Sequence, residues 1–451
     1  METGGLLGAS IRRREDRRLL TGAGRYVDDL VLPGMLYAAF VRSPHAHARL
    51  RSIDITAARD APGVVAVVTG PEAAAALGPL PPRSSKQVAA ALRDVAEAVV
   101  KLEPQYAMAR ERALYAGQPV AMVVAETRYL AEDAAELVAI DWEPLPPVTT
   151  VEAARAPDAP LVHPELGDNL SALVHVRAGD VDAAFARADH VVRQRFRFHR
   201  QTGIPIEPRG AVAQVDADGR LTLWATTQTP HVVRDALAQL LGLPPQQVRV
   251  VAPDVGGGFG IKVTLYGEEV LVAWQARVLG RPVKWIEDRL EHLRAATHSR
   301  DQEHEIALAL RADGTILGLR DRFTIDMGAH NPAGLVQPYN SAAHLIGPYR
   351  VPAVEVRAEC YFTNKAPLAP YRGAGRPEAV FAMDRLLDGA AHTLGLDPAE
   401  LRRRNLIAPA EMPYATGLLY RDGQPLVYDS GDYPACLAEA LRLIDYAGVR
   451  A

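Results

Sequence analysis

Two glycine-rich turns hold the residues best suited to chemistry. The first is Pro253-Asp-Val-Gly-Gly-Gly-Phe-Gly-Ile-Lys262 and the second is Tyr371-Arg-Gly-Ala-Gly-Arg-Pro-Glu378. Each sits between an apolar, strand-like run and a helix-like run. The consecutive glycines Gly256, Gly257 and Gly258 let backbone N–H groups converge without a Cβ in the way. A helix opening beyond the turn would add unpaired N–H groups and the positive end of its dipole. Such a loop suits a phosphate, an oxo group or another anion; taken alone, it is equally a tight structural turn. Two known phosphate loops fail to match. A P-loop needs Gly-Lys followed by Ser or Thr, whereas Ile261 separates Gly260 from Lys262 and Val263 follows. The dinucleotide fingerprint would need glycine where Ile261 and Glu378 stand.

Other candidates carry less. His45 and His47 have an H-x-H spacing, but a zinc site needs further matched ligands. His292, His298 and His304 are six residues apart and would not share one helix face, so they read as structural. Cys360 and Cys436 make neither a disulfide framework nor a cysteine-ligated iron–sulfur site. Glu207-Pro-Arg209 lies in a turn, and a lone loop glutamate is mostly solvated. Gln228, where a strand turns toward a helix, is by itself a solvated loop residue.

A chain of 451 residues with 48% hydrophobic residues can bury sizeable cores. A formal net charge of −4 gives no nucleic-acid or membrane-surface footprint. No apolar run reaches membrane-spanning length, and a reduced, cytoplasmic setting is the expectation. The basic stretch Ile11–Arg18 is followed by residues too polar for an export signal, so it reads as a solvated segment.

The elements that must position the loops are of mixed type. Strands are expected at 35–41, 48–54, 63–69 and 119–125, with helices at 87–100 and 127–138, the latter capped by Thr127 with Leu130, Ala134, Leu137 and Val138 on one face. Proline density from Pro144 to Pro160 reads as a crossover linker. Beyond it come a helix at 181–188, a strand at 190–198, a hairpin around Asp218-Gly219, a helix at 232–241, a helix at 267–280 and a second hairpin around Asp313-Gly314. A helix opens at Pro377, with Val380, Met383, Leu387 and Ala390 inward. Helical runs close the chain at 397–405 and 433–446. The organisation expected is a basic segment over 1–18, an α/β domain over 19–145, a linker over 146–170 and a second mixed α/β domain over 171–451.

Three motifs in order, Thr226-Thr-Gln-Thr-Pro230, Gly-Gly-Gly-Phe-Gly-Ile-Lys262 and Tyr371-Arg-Gly-Ala-Gly-Arg-Pro-Glu378, resemble the molybdenum-binding subunit of the xanthine oxidase family of molybdenum hydroxylases. Gly22–Asp29 and Arg42–Arg49 resemble that family's first domain, and the likeness runs from about Ile11 to the C-terminus. The resemblance implies an N-terminal α/β hammerhead domain followed by the first molybdopterin-binding domain. It implies molybdenum held by molybdopterin, in the cytosine dinucleotide form, with sulfur ligands from the pterin and none from protein. The cofactor contacts it implies are Gln228, Gly257, Gly258, Phe259, Gly260, Arg372, Gly373, Ala374 and Gly375. Of these, Gln228, the Phe259 amide and Arg372 stand nearest the metal without ligating it. It also implies 2Fe-2S and FAD on partner subunits. The catalytic base is expected to be a glutamate outside this chain, supplied by a complementary C-terminal polypeptide.

Departures from the family narrow the substrate. Three purine contacts are replaced by Val263, Asn340 and Ala374, and Gly373 stands where copper–molybdenum carbon monoxide dehydrogenases carry cysteine. An aldehyde or N-heterocycle remains as the small-molecule substrate of an oxidative hydroxylation. The alternatives are an oxidoreductase using the loops for a nucleotide and a non-catalytic pterin-binding or assembly protein.

Overall fold

A computed structural model describes residues 5, 8–81 and 97–450. Among them, two large sheets and their helices form a mixed α/β architecture, as the sequence pattern predicts.

The first sheet runs, in spatial order, Val248–Val251, Leu221–Ala225, Gly210–Val215, Val283–Ile286, Leu36–Arg42, Pro119–Ala125 and Val64–Thr69. Strands from the first 145 residues thus share a sheet with strands from 210–286. The join is a short parallel pairing, Leu36 opposite Val283 and Tyr37 opposite Lys284. Pro119–Ala125 is buried along its whole length, which is why it reads as a continuous apolar run rather than an alternating one. The helices Pro230–Leu240 and Gly267–Leu279 pack Val233, Leu237, Val270 and Leu271 into the same core as Ala211, Leu221 and Leu223.

The second sheet runs Glu97–Val100, Leu170–Ala178, Val354–Phe362, Ile316–Gly328, Gln302–Leu310 and His190–Phe198. Val354–Phe362 alternates strictly, with Val354, Val356, Ala358, Cys360 and Phe362 buried, so one face is apolar. That face meets the helices Val336–His344 and Arg376–Leu394 through Tyr339, Ala382, Met383, Leu386 and Leu387. The opposite face carries Arg195, Glu303, Glu305, Arg322, Arg357 and Glu359.

The turn signals hold. Gly219 has φ +79 and Gly314 φ +87, and Asp216 N donates to Arg220 O at 3.0 Å across the first hairpin. Thr127 Oγ1 accepts from Leu130 N at 3.2 Å and caps Arg128–Glu136, but its buried face is Ala131 and Ala134, and Leu137 is exposed.

Four expectations change. Of the helix expected at 87–100, residues 87–96 lie outside the described residues, and Glu97–Val100 is an antiparallel strand beside Leu170–Ala178. The helix after the first glycine loop spans Gly267–Leu279, as expected, but a short 3-10 turn, Ile261–Val263, stands between it and the loop, so it does not open directly beyond the turn. Glu269 caps that helix by accepting from Tyr266 N, and Gly267 packs tightly on Ala107, so its dipole end lies away from the loop. In Arg376–Leu394 the buried face is Ala379, Ala382, Met383, Leu386, Leu387 and Ala390, while Val380 is 49% exposed. No helix was expected between the second hairpin and Pro377, yet Val336–His344 is one, and its buried Asn340 and Ser341 brace the second loop.

Leu387→Ala should therefore destabilise the fold by about 2–5 kcal/mol through the cavity it leaves. Val380→Ser on the same helix should shift it by no more than about 0.5 kcal/mol. Thermal melts of the two variants check this, and equal shifts would contradict the packing described.

Candidate active site

The two glycine loops share a left-handed pair of residues. Phe259 and Gly260 have φ +52 and +98; Ala374 and Gly375 have φ +49 and +97. Left-handed conformation in a residue with a Cβ costs on the order of 1–3 kcal/mol and persists only where its surroundings enforce it. Here each loop enforces the other. Arg372 N donates to Phe259 O at 2.8 Å, and a Cβ on Gly260 would overlap the carbonyl of Pro370. A Cβ on Gly375 would lie 2.5 Å from Gln337 O.

Tracing the backbone donors shows what the first loop offers. Gly256 N donates to Glu207 Oε2 at 2.7 Å, Gly260 N to Gln228 Oε1 at 2.8 Å and Ile261 N to Gly258 O at 2.9 Å. Among the described residues, the amides of Gly257, Gly258 and Phe259 donate to no protein acceptor. Gln228 N is anchored on Lys262 O at 2.9 Å. Because Gly260 N–H takes its Oε1, Gln228 keeps its NH2 donors for a ligand. A Cβ on Gly258 would stand 2.6 Å from the Gln228 side chain. Glycine at 258 thus makes room for Gln228, where the sequence suggested room for ligand alone. Gln228, Arg372 and Gly373 are exposed and Phe259 is 41% exposed. The guanidinium of Arg372 has no partner among the described residues.

The second loop is braced from behind by buried polar groups. Arg300 NH2 donates to Arg372 O at 2.6 Å and its NH1 to Glu378 Oε2 at 2.9 Å. Ser341 Oγ donates to Gly375 O at 3.0 Å, and Tyr371 N donates to Ser299 Oγ at 3.1 Å. Asn340 Nδ2 donates to Ala374 O at 2.9 Å, and Asn340 is only 1% exposed. It lies behind the loop as a brace. Val263 closes the 3-10 turn after the first loop, its carbonyl accepting from Thr229 Oγ1 at 3.0 Å, and Ala374 is half-buried in the second loop. Burial pushes the Glu378 carboxyl up, against the pull of Arg300.

Beneath the first loop, Lys262 Nζ is 2.9 Å from both Glu207 Oε2 and Glu207 O. Two residues on, Arg209 is buried against Glu287 and Glu268 and lies 3.8 Å over the Tyr266 ring. Arg42 joins Glu268 to Glu291, each at 2.9 Å. Burial raises the Glu287 carboxyl, but Arg209 and His292 outweigh it and hold it down at about 2. Sequence reasoning missed this network. Its signal was charge inside apolar surroundings: Glu268-Glu269 opening an apolar helix and Arg209 before an apolar strand.

The histidines are structural, as expected. His292 bridges Glu287 and Gly203 O, and His304 bridges Asp321 and Gln302. His47 Nδ1 meets Pro146 O at 3.0 Å. Among the described residues no group of three or more His, Cys, Asp or Glu could hold a metal ion, and no helix is long and apolar enough to cross a membrane. The basic N-terminal segment differs from its expectation at one residue: Arg18 forms a two-pronged pair with Asp254, beside the first loop.

His298 gives the stability of the fold a pH dependence. Its Nδ1 accepts from Arg200 Nε at 3.1 Å, which requires a neutral ring. Burial, and then Arg200, lower its pKa from 6.5 to about 4. The unfolded chain binds that proton near 6.5, the folded chain only near 4. Its contribution is therefore intact above 6.5 and is lost as pH falls toward 4. The melting temperature of wild type should drop more steeply than that of His298→Gln across this window; parallel curves would contradict the assignment.

Comparisons place these features in a family. Residues 21–146 match the "Aldehyde oxidase and xanthine dehydrogenase, a/b hammerhead domain", and residues 162–406, more than half of the chain, match the "Molybdopterin cofactor-binding domain". The 6-hydroxypseudooxynicotine dehydrogenase complex subunit gamma of Paenarthrobacter nicotinovorans is 40% identical, over 98% of this chain and 54% of its own length. The quinoline 2-oxidoreductase of Pseudomonas putida 86 superposes with a TM-score of 0.89 at 39% identity, over 98% of this chain and 55% of that one. The nicotinate dehydrogenase large molybdopterin subunit of Eubacterium barkeri is 30% identical, over 89% of each chain. The chain spans about half the length of the first curated relatives it matches. Two domain matches in that order, with relatives alike over nearly the whole chain, make this chain a member of the xanthine oxidase family of molybdenum hydroxylases, matching the first half of its large subunit.

Proposed function

We propose that this chain supplies the donor-loop half of a molybdenum hydroxylase that oxidatively hydroxylates an aldehyde or N-heterocycle, with water as the oxygen source. One observation carries the reading: the three unpaired amides of Gly257, Gly258 and Phe259 stand beside the free NH2 of Gln228. With the second loop joined through Arg372 N, the surface offers donors and a cation but no sulfur or carboxylate ligand. That set fits a metal group that brings its own ligands and presents oxygen, nitrogen or sulfur acceptors. It fits a molybdenum–molybdopterin group, here proposed as the cytosine dinucleotide, which supplies the two-electron oxidation when bound.

The residues of this chain then have distinct tasks. The amide of Phe259 is a fixed donor, held in place by its left-handed φ, and stabilises negative charge on an acceptor without reorganising. Gln228 orients the same group through its NH2. Arg372 offers its fork of donors to an anionic portion of the cofactor. Gly257, Gly258 and Gly260 with Gly373, Ala374 and Gly375 form the backbone that contacts it. Val263 and Ala374 leave the substrate side apolar, and Asn340 acts through the carbonyl of Ala374.

No carboxylate of these loops is free to act as base. Glu207 is engaged by Gly256 N and Lys262. The base is therefore proposed to come from a complementary C-terminal half, covering the apolar rim of Phe259, Ile204 and the 95% exposed Ile206. Iron–sulfur and FAD subunits carry electrons away, in a cytoplasmic hetero-oligomer.

Two outcomes test this. Purified with its partners, the complex should contain molybdenum and a pterin dinucleotide, and Gln228→Ala should lower turnover per molybdenum about 10²- to 10³-fold, as loss of one preorganised donor does. Absence of molybdenum and pterin from the intact complex would overturn the reading, and cofactor without turnover of any substrate would favour a binding or assembly role. In a substrate panel with an artificial electron acceptor, xanthine should run at least about 10²-fold below the best N-heterocycle or aldehyde, since Val263 and Ala374 offer no polar side-chain contact. Comparable rates would contradict that assignment.

A further inference from the structure

We infer that Lys262 and Glu207 are positioning residues: an ion pair beneath the donor loop that holds the loop's first residue and anchors the lysine whose backbone holds its last, and so sets the free amides for the cofactor. The inference rests on the molybdopterin-binding reading above. Lys262 is the loop lysine that a phosphate-binding motif would aim outward. Here its side chain is fully buried, and Nζ donates to Glu207 Oε2 and to Glu207 O, each at 2.9 Å. It therefore works beneath the loop and does not point outward as a phosphate-binding lysine would.

The pair reaches each end of the loop by a different route. Glu207 holds Gly256 through both backbone groups: Gly256 N donates to its Oε2 at 2.7 Å, and Glu207 N donates to Gly256 O at 3.3 Å. The approach is close enough that a Cβ on Gly256 would stand 2.5 Å from Glu207 Cβ. Lys262 holds the other end through its carbonyl, which accepts from Gln228 N at 2.9 Å and from Thr227 Oγ1 at 3.4 Å. Gln228 in turn takes Gly260 N. The segment from Gly256 to Gly260 is thus tied at its first residue to the carboxylate of the pair and at its last, through Gln228, to the backbone of the lysine that the pair anchors, with the three free amides between.

Two facts separate this from an ordinary stabilising pair. Glu207 accepts two donors on Oε2, while Oε1 is buried with no protein partner. A buried acceptor left unmet is destabilising, so a donor from bound cofactor or water completes it. The neighbouring Arg209 is held by Glu287 and Glu268, which limits how far the turn carrying residue 207 can shift if its partner is lost.

The test uses the complex purified with its partners, reading molybdenum and pterin per polypeptide beside the melting temperature. The variants are Lys262→Met, Glu207→Gln and the double variant, with Leu387→Ala as a control that loses stability far from the loop. Each clamp variant should hold molybdenum and pterin about 10- to 100-fold more weakly, the range for partners that orient a metal site from outside it. The double variant should fold well, because no lone charge remains buried, and be no worse than the worse single. Leu387→Ala should keep its cofactor. Full loading of the double variant, or loading that merely follows melting temperature as in Leu387→Ala, would overturn the inference. So would failure of all three clamp variants to fold, which would make the pair a requirement of the fold alone. Wild type lacking molybdenum and pterin would instead overturn the cofactor reading itself.

Discussion

One backbone hydrogen bond, Arg372 N to Phe259 O, joins two loops that lie 113 positions apart in the chain, as the residue numbers 259 and 372 show. It matters because both loops hold a Cβ-bearing residue in the left-handed region, Phe259 and Ala374. Neither conformation is favourable alone. Each persists because the other loop, and the buried groups behind both, leave no room to relax. Only glycine fits at Gly260, where the loops touch, and at Gly375, where the second meets the helix Val336–His344.

The supporting polar groups are buried charges, and those are weak evidence of stability. Removing an ion pair entirely is often neutral, whereas leaving one partner costs several kcal/mol. Lys262 with Glu207, Arg209 with Glu287, and Arg300 with Glu378 are better understood as specifying geometry. Two of them reach a loop through a backbone atom, Gly256 N and Arg372 O; the third holds Arg209 N, two residues from Glu207. That is the pattern of a preorganised site, in which donors are fixed before the ligand arrives and need no reorganisation when it binds.

Much of this was legible in the sequence, for identifiable reasons. Strands such as Ala48–Asp54 and His190–Phe198 were found to the residue because alternation survives where one sheet face is wet. Leu170–Ala178, close behind the proline-rich crossover, and Val354–Phe362 were not foreseen, although the second alternates apolar and polar residues along its length. The loops were legible through glycine spacing, and Gln228 through its motif. What the sequence could not show was the reason for individual residues. Gly258 is required by the Gln228 side chain, Asn340 braces a carbonyl from behind, and Lys262 points beneath the loop. Those are long-range contacts, and spacing along the chain does not encode them.

The most direct test of the account is the position of the metal. Crystals of the complex measured on both sides of the molybdenum absorption edge would locate it without reference to any assumed chemistry. The account predicts one anomalous peak on the exposed side of the joined loops, with its ligand atoms within about 3.2 Å of Gln228 Nε2 and the Phe259 amide. A molybdenum peak elsewhere on the chain, with these donors facing solvent, would contradict it.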